Sequence, residues 1–356
     1  MFKLLIHERF YIYNNKRVVL TRRLFRIAQI APPEISVPPK TYGGIERTVS
    51  YLTEELIEKK IEKICTYNYG CSLSFRPAFN KDPVPKERYE WIFDQVRRNA
   101  TKFDILHFHT DEHFEFIDEI VKENKAACVV TVHGWYPTLG LEHNRLPLIT
   151  ISDDQKLHSS GKPNYIGTAY HGLPKDHYRF IEQPVSKKPY LAFLARMVPE
   201  KRPDMAIEIA VKLGYNLKMG AKLLDSYNEY WNNISKLIVK HKSIVEFVGE
   251  VNETQKNDFL GNALAFLNPI DWAEQFGYVM IESMACGTPV IARRMGSVPE
   301  IIEDGVSGFI FNTVDEGIEA VKKASKMSRK ARLNINFMDS IRKGIKTKIK
   351  YVFEII

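Results

Sequence analysis

From Arg26 onward the chain alternates short apolar runs with longer amphipathic ones. FRIAQIAP and ACVVTVHGW alternate poorly and read as buried strands of a parallel sheet, and KICTYNY and FDILHFHT read as further strands. PYLAFLARMV, NLKMGAKLL, SIVEFVGEV, ALAFLNPI and PVIA read as the strands of the second half. Between the runs, TYGGIERTVSYLTEELIEKK, KERYEWIFDQVRRN, HFEFIDEIVKENK and PDMAIEIAVKLG are spaced as helices, the last with Met205, Ile209 and Leu213 on one face. Strand and helix alternating in two series predict an α/β protein with two Rossmann-like, doubly wound domains.

One helix breaks the amphipathic rule. In EQFGYVMIESMACGTPVIARRMGSVPE, residues 274–300, Tyr278, Val279, Met280, Ile281, Met284 and Ala285 leave Glu282 and Ser283 as almost the only polar positions. Such a helix is buried nearly all round, Gly287 stops it, and Pro289 opens the next strand. Glu282 is then a carboxylate at an apolar position, tolerated when something satisfies it, and a ligand diol would do so. Glu274 precedes Phe276 and Gly277, where the helix opens and the backbone N–H groups of Gly277, Tyr278 and Val279 have no intrahelical partner.

At 356 residues the chain exceeds one ordinary core, so two domains of about 150 residues are expected. The boundaries read as an extension at 1–25, a first domain at 26–172, a linker at 173–188, a second domain at 189–328 and a basic segment at 329–356. Net charge is +8, but residues 1–26 hold +6 and residues 322–356 hold +9, so the body is acidic. A nucleic-acid groove through the body is not expected on that distribution. No apolar run approaches a bilayer span, and the apolar start of the chain is too short for a secretory signal. Cys65, Cys71, Cys128 and Cys286 form no CxxC pair, which fits a reducing cytoplasm better than disulfides or zinc.

Several residues are candidates for chemistry. Gly43 and Gly44 follow the first strand and open a helix, a geometry that lets a phosphate approach, although neither a GxGxxG nor a P-loop spacing is present. His133 closes a parallel strand at the sheet's carboxyl edge, where open α/β folds bind ligands. Arg196 ends a strand and Lys201 follows in the turn, two cations able to converge on an anion. His107 and His109 point the same way, with Asp111, Glu112 and His113 behind them; a metal site is imaginable there, but no further ligand is visible and the metal-free reading is preferred. Phe337, Ile341, Ile345, Ile349 and Val352 follow a near-helical step with Lys and Arg between them. That basic amphipathic helix would pack on the first domain or touch an anionic membrane peripherally.

The two glutamates separated by seven residues, with the FG, GTPV and GSVPE around them, resemble the signature of retaining GT-B glycosyltransferases of family four. The likeness runs from about Arg26 to Lys322. It implies a GT-B fold, two Rossmann-like domains facing across a cleft, and transfer of a hexosyl unit from a UDP- or GDP-sugar to an acceptor. By that resemblance His133 and Glu274 are catalytic, positioning the donor; Gly43, Gly44, Arg196 and Lys201 hold its diphosphate. Phe276, Gly277 and Tyr278 line the sugar, and Phe247, Gly249, Val279 and Glu282 the nucleoside, with Glu282 on the ribose. No Asp-x-Asp occurs, so no cofactor and no divalent metal is implied, Arg196 and Lys201 taking that role. Tyr278 departs from the family's usual Leu or Ile, and the tail departs from its usual last segment. A GT-B phosphorylase or epimerase, a non-catalytic nucleotide-sugar-binding protein, or a peripheral membrane protein are the other readings.

Overall fold

Two six-stranded sheets, every neighbouring pair parallel, carry the molecule. The computed structural model describes residues 11–13, 16–18, 26–33, 35–39, 43–58, 63–67, 86–110, 114–123, 126–134, 146–158, 163–174, 176–186, 188–329 and 347–352. Ahead of the sheets, β1 (Tyr11–Tyr13) and β2 (Lys16–Val18) form an antiparallel pair within the extension.

The first sheet is built from β3 (Arg26–Ile30), α1 (Gly44–Glu58), β4 (Lys63–Tyr67), α2 (Lys86–Asn99), β5 (Ile105–His109), α3 (Phe114–Glu123), β6 (Ala127–Thr131), β7 (Leu148–Thr150), α4 (Asp153–Leu157) and β8 (Tyr165–Thr168). Its strands lie in the order β4-β3-β5-β6-β7-β8. The second follows as β9 (Tyr190–Arg196), α5 (Pro203–Leu213), β10 (Asn216–Lys222), α6 (Asn228–Lys240), β11 (Val245–Gly249), α7 (Glu253–Gly261), β12 (Ala265–Asn268), α8 (Tyr278–Ala285), β13 (Val290–Arg293), α9 (Val298–Ile301), β14 (Gly308–Phe311) and α10 (Val314–Ser325), in the order β11-β10-β9-β12-β13-β14. Chain order reverses between β3 and β5 in one sheet and between β9 and β12 in the other. At such a switch point the loops leaving the carboxyl ends of neighbouring strands run in opposite directions and open a crevice for ligands.

β3 and β6, read as buried, are so apart from half-buried first residues, and β5 and β12 are buried throughout, whereas β11, at the edge of its sheet, has Glu246 and Val248 exposed. Helices cover both faces, with α2 and α3 over a core that includes Phe93, Phe108 and Phe114. The other face packs under α1, where one apolar cluster runs from Ile27, Leu52 and Ile105 through to Met280 and Ile281 of α8. The tail joins that cluster. Residues 347–352 are helical, and Ile349 and Val352 are buried with the first-domain strands, so the apolar side of this described piece is covered by protein. Phe337, Ile341 and Ile345 lie outside the described residues. Among the described residues no helix is long and apolar enough to cross a membrane. Cys128 and Cys286 are buried free thiols, both pushed up to about 12 by burial first of all.

Candidate active site

Arg196 is exposed at the carboxyl end of β9, and Lys201 closes the following turn, on the lip of the β9/β12 switch point. Glu274 reaches that lip from the loop after β12, its Oε2 2.6 Å from Lys201 Nζ. Two side chains assigned by resemblance to different parts of a donor are thus ion-paired with each other. The loop holding Glu274 is fixed from behind, because Ser297 N donates to Glu274 O at 2.8 Å. Gly296 has φ +54°, and a Cβ there would lie 2.4 Å from Glu274 O, so only glycine admits this approach. The GSVPE stretch therefore supports the glutamate that precedes it by some twenty residues. Gly277 likewise has φ +75°, and α8 begins at Tyr278 without a side-chain cap.

Glu282 is almost fully buried in α8, as its pattern predicts, and its counter-charge is a protein side chain rather than a ligand diol alone: Lys256 Nζ lies 2.7 Å from Oε1. Lys256 also pairs with Glu253 at 3.0 Å, and Glu253 takes Arg47 of α1 at 2.6 Å across the cleft. Tyr178 OH donates to Glu253 Oε1 at 2.6 Å, and His177 Nε2 lies 2.9 Å from the same oxygen. Burial pushes this carboxyl up, but the His177 contact, Lys256, Tyr178 and Arg47 outweigh it and hold it well below the usual range. None of Arg47, His177, Tyr178, Glu253 or Lys256 stood out in the sequence. They come from three separate segments, and the only local signal is the E-x2-K spacing within α7.

In the first domain alternate residues of β3, β5 and β6 share one face, and at its carboxyl end that face turns polar with Gln29, His107, His109 and Thr131, His133 following just beyond. His109 Nε2 lies 2.7 Å from Gln29 Oε1, and its Nδ1 lies 3.1 Å from His133 Nε2. If His109 donates to the amide oxygen, its Nδ1 accepts and His133 donates through Nε2. His107 Nε2 meets Thr131 Oγ1 at 2.8 Å. Burial lowers His107 to about 3 and holds His109 and His133 well below the usual imidazole value, so all three rings are neutral. The hydrogen bonds of His107 and His109 thus go to Thr131, Gln29 and His133, and among the described residues no group of three or more His, Cys, Asp or Glu is placed to hold a metal ion. Asp111, Glu112 and His113 are outside the described residues.

His133 is nearly buried, its ring 5.3 Å from that of His171 and almost parallel to it. His171, not singled out in the sequence, stacks at 4.6 Å on Tyr278 and meets Phe276 edge-on at 4.9 Å. His133 and His171 of the first domain thus form one ring stack with Tyr278 and Phe276 of the second. Thr48 Oγ1 donates to Gly44 O, so Tyr278 OH, 2.9 Å away, donates to Thr48. The departure at Tyr278 therefore has a use that a Leu or Ile could not serve, a hydrogen bond from α8 to α1. Gly43, with φ +153°, has no room for a Cβ, which would lie 2.7 Å from Pro39, whereas Gly44 faces open space. Phe247 packs its ring on Trp231 at 4.7 Å, Val279 of α8 packs half-buried against the core, and Gly249 sits at φ +79° with open space beside it.

Residues 174–336 match the family model described as "Glycosyl transferases group 1". The matched segment takes in the whole second sheet, with both glutamates. An uncharacterized glycosyltransferase of Methanocaldococcus jannaschii is 31% identical over 119 residues, 33% of this chain and 32% of that one. D-inositol 3-phosphate glycosyltransferase 2 of Catenulispora acidiphila is 26% identical over 190 residues, 48% of this chain and 44% of that one. The matched stretches thus span less than half of those relatives' lengths. Solved structures match across both domains. A Rickettsia africae glycosyltransferase has a TM-score of 0.74 at 17% identity, covering 93% of this chain and 98% of that one. Anabaena HepE, solved with UDP and glucose, has 0.68 at 14%, covering 93% and 100%. A glycosyltransferase of avilamycin A biosynthesis has 0.67 at 22%, covering 92% and 97%. The fold is GT-B, as the sequence resemblance implied.

Proposed function

We propose that this chain is a retaining glycosyltransferase that moves a hexosyl unit from a UDP- or GDP-sugar to an acceptor without a divalent metal. The observation that carries the reading is the Lys201–Glu274 pair at the β9/β12 switch point, set against the aromatic stack of His133, His171, Phe276 and Tyr278 that spans both domains. It is supported by the group 1 match over the second domain and by the structural likeness to Anabaena HepE, which binds UDP and glucose in its crystal.

In this reading the donor's diphosphate lies over the carboxyl end of β9. Arg196 and Lys201 supply the positive charge that stabilises the leaving group as the glycosidic bond breaks, the role a bound cation plays elsewhere. Lys201 exchanges part of its pairing with Glu274 for phosphate, which frees Glu274 to orient the sugar. Glu282, beside Lys256, accepts from the ribose hydroxyls. His133 has its Nε2 committed to His109, so its contact with the sugar is made through the ring and Nδ1. The departing phosphate takes the acceptor's proton on the face where the bond broke, which preserves the anomeric configuration.

Isothermal titration with UDP, GDP and their glucose conjugates in excess EDTA tests the proposal. Binding of one nucleotide series, with turnover of its sugar surviving chelation, is expected; no binding of any, or turnover restored only by added Mg²⁺ or Mn²⁺, contradicts it.

A further inference from the structure

The polar end of the first sheet receives one more group, and it comes from the far end of the chain. Lys348, in the helical piece at 347–352, is 1% exposed, with its Nζ 2.6 Å from His171 Nδ1. Burying an ammonium is expensive, and a leucine or methionine of similar volume would fill the space without that cost. The site is therefore not explained by packing. The titratable groups facing Lys348 are His107 and His109 of β5, His133 beyond β6 and His171 beyond β8, and its charge helps to hold each of them neutral. Desolvation in turn lowers Lys348 to about 7.

A protonated lysine can only donate, so His171 Nδ1 accepts and the ring proton of this neutral imidazole sits on Nε2. Thr48 Oγ1, 3.5 Å from the same Nδ1, is the other polar neighbour on that side. The ring so fixed is the middle member of the stack between His133 and Tyr278. We infer that Lys348, carried in by the C-terminal segment, is a positioning residue of the donor-sugar site: it fixes the tautomer and plane of His171, and through that ring the facing planes of His133 and Tyr278. The functional half rests on the proposed reading of His133, Phe276 and Tyr278 as sugar-site residues. It makes the tail a working part of the site and not only a brace on the first domain.

Two-bond proton–nitrogen correlation on the ¹⁵N-labelled full chain at pH 6 reads the tautomer without any ligand. Wild type is expected to show His171 as the Nε2–H form. Lys348→Met is expected to lose that preference and to lower kcat with UDP-glucose or GDP-glucose by about tenfold to a hundredfold, while the Kd for the free nucleoside diphosphate stays within about twofold. Lys348→Arg, which keeps a donor, restores part of both. Lys350→Met, exposed on the same helix, changes neither. A wild-type proton on Nδ1 overturns the inference, and that result needs no variant to fold. So does a Lys348→Met protein with unchanged tautomer and turnover. Wild type that keeps the Nε2–H form but binds no nucleotide overturns the transferase reading and with it the functional half, so the two failures are told apart.

Discussion

Glu253 joins four partners from both domains, and its titration is the clearest acid-sensitive feature at the residue scale. Its carboxyl is lowered from an ordinary value of 4.5. The stability it contributes is therefore complete above that value and is lost as pH falls below it, because the unfolded chain then binds the proton more readily. Glu253→Gln is expected to lower the melting temperature at pH 7, with the difference from wild type narrowing steadily as pH falls below 4.5; a constant difference between pH 7 and pH 3 would contradict the network's charge. Glu282 and Lys256 can be separated in the same way. Lys256→Met leaves a nearly buried carboxylate without its counter-charge, and breaking one side of such a pair costs about 3–5 kcal/mol. Glu282→Gln costs less, because Lys256 keeps Glu253. In that variant UDP affinity should fall while 2′-deoxy-UDP affinity stays the same, since the ribose hydroxyl contact is already missing there. Equal losses for both nucleotides would remove Glu282 from the ribose.

At the scale of elements, strands and helices were legible wherever burial was uniform or strictly periodic. KERYEWIFDQVRRN folds as α2 from its first residue to its last, β9 ends on Arg196, and α8 is as buried as its composition implies, Ser283 and Glu282 included. What could not be read is what a residue meets through space. His171 is one imidazole in a loop after β8, and nothing near it in the chain announces Lys348, which is 177 residues away. The same holds for Glu300, whose carboxylate accepts from the backbone N–H of Asp153 and Asp154 and from Tyr170 OH, joining the second domain to the start of α4. Gly167 is a further case. A glycine inside β8 would ordinarily weaken the strand, yet a Cβ there would lie 2.2 Å from the ring of Tyr351. Gly167→Val is therefore expected to displace the tail helix, lower the melting temperature and raise protease cleavage near residues 347–352. Unchanged stability and cleavage would mean that the tail is not seated on β8.

The whole molecule is two sheets whose switch points bear on one cleft, with α8, α1 and the tail sharing a single apolar cluster. Two domains could be inferred from length and alternation. Their joining could not, because it runs through Tyr278–Thr48, Glu253–Arg47 and Glu300–Asp153, none adjacent in sequence. The basic tail, which on charge alone suits an anionic surface, places its described apolar side chains in the first domain. In the proposed function this cleft transfers a sugar from a nucleotide with retention. Proton NMR of the anomeric region during turnover of an α-linked UDP- or GDP-glucose, with water or a simple alcohol as acceptor, distinguishes retention from inversion. The first product formed is expected to be the α-anomer, seen before mutarotation equilibrates it. A β-anomer as first product, or an intact donor after prolonged incubation, would contradict it.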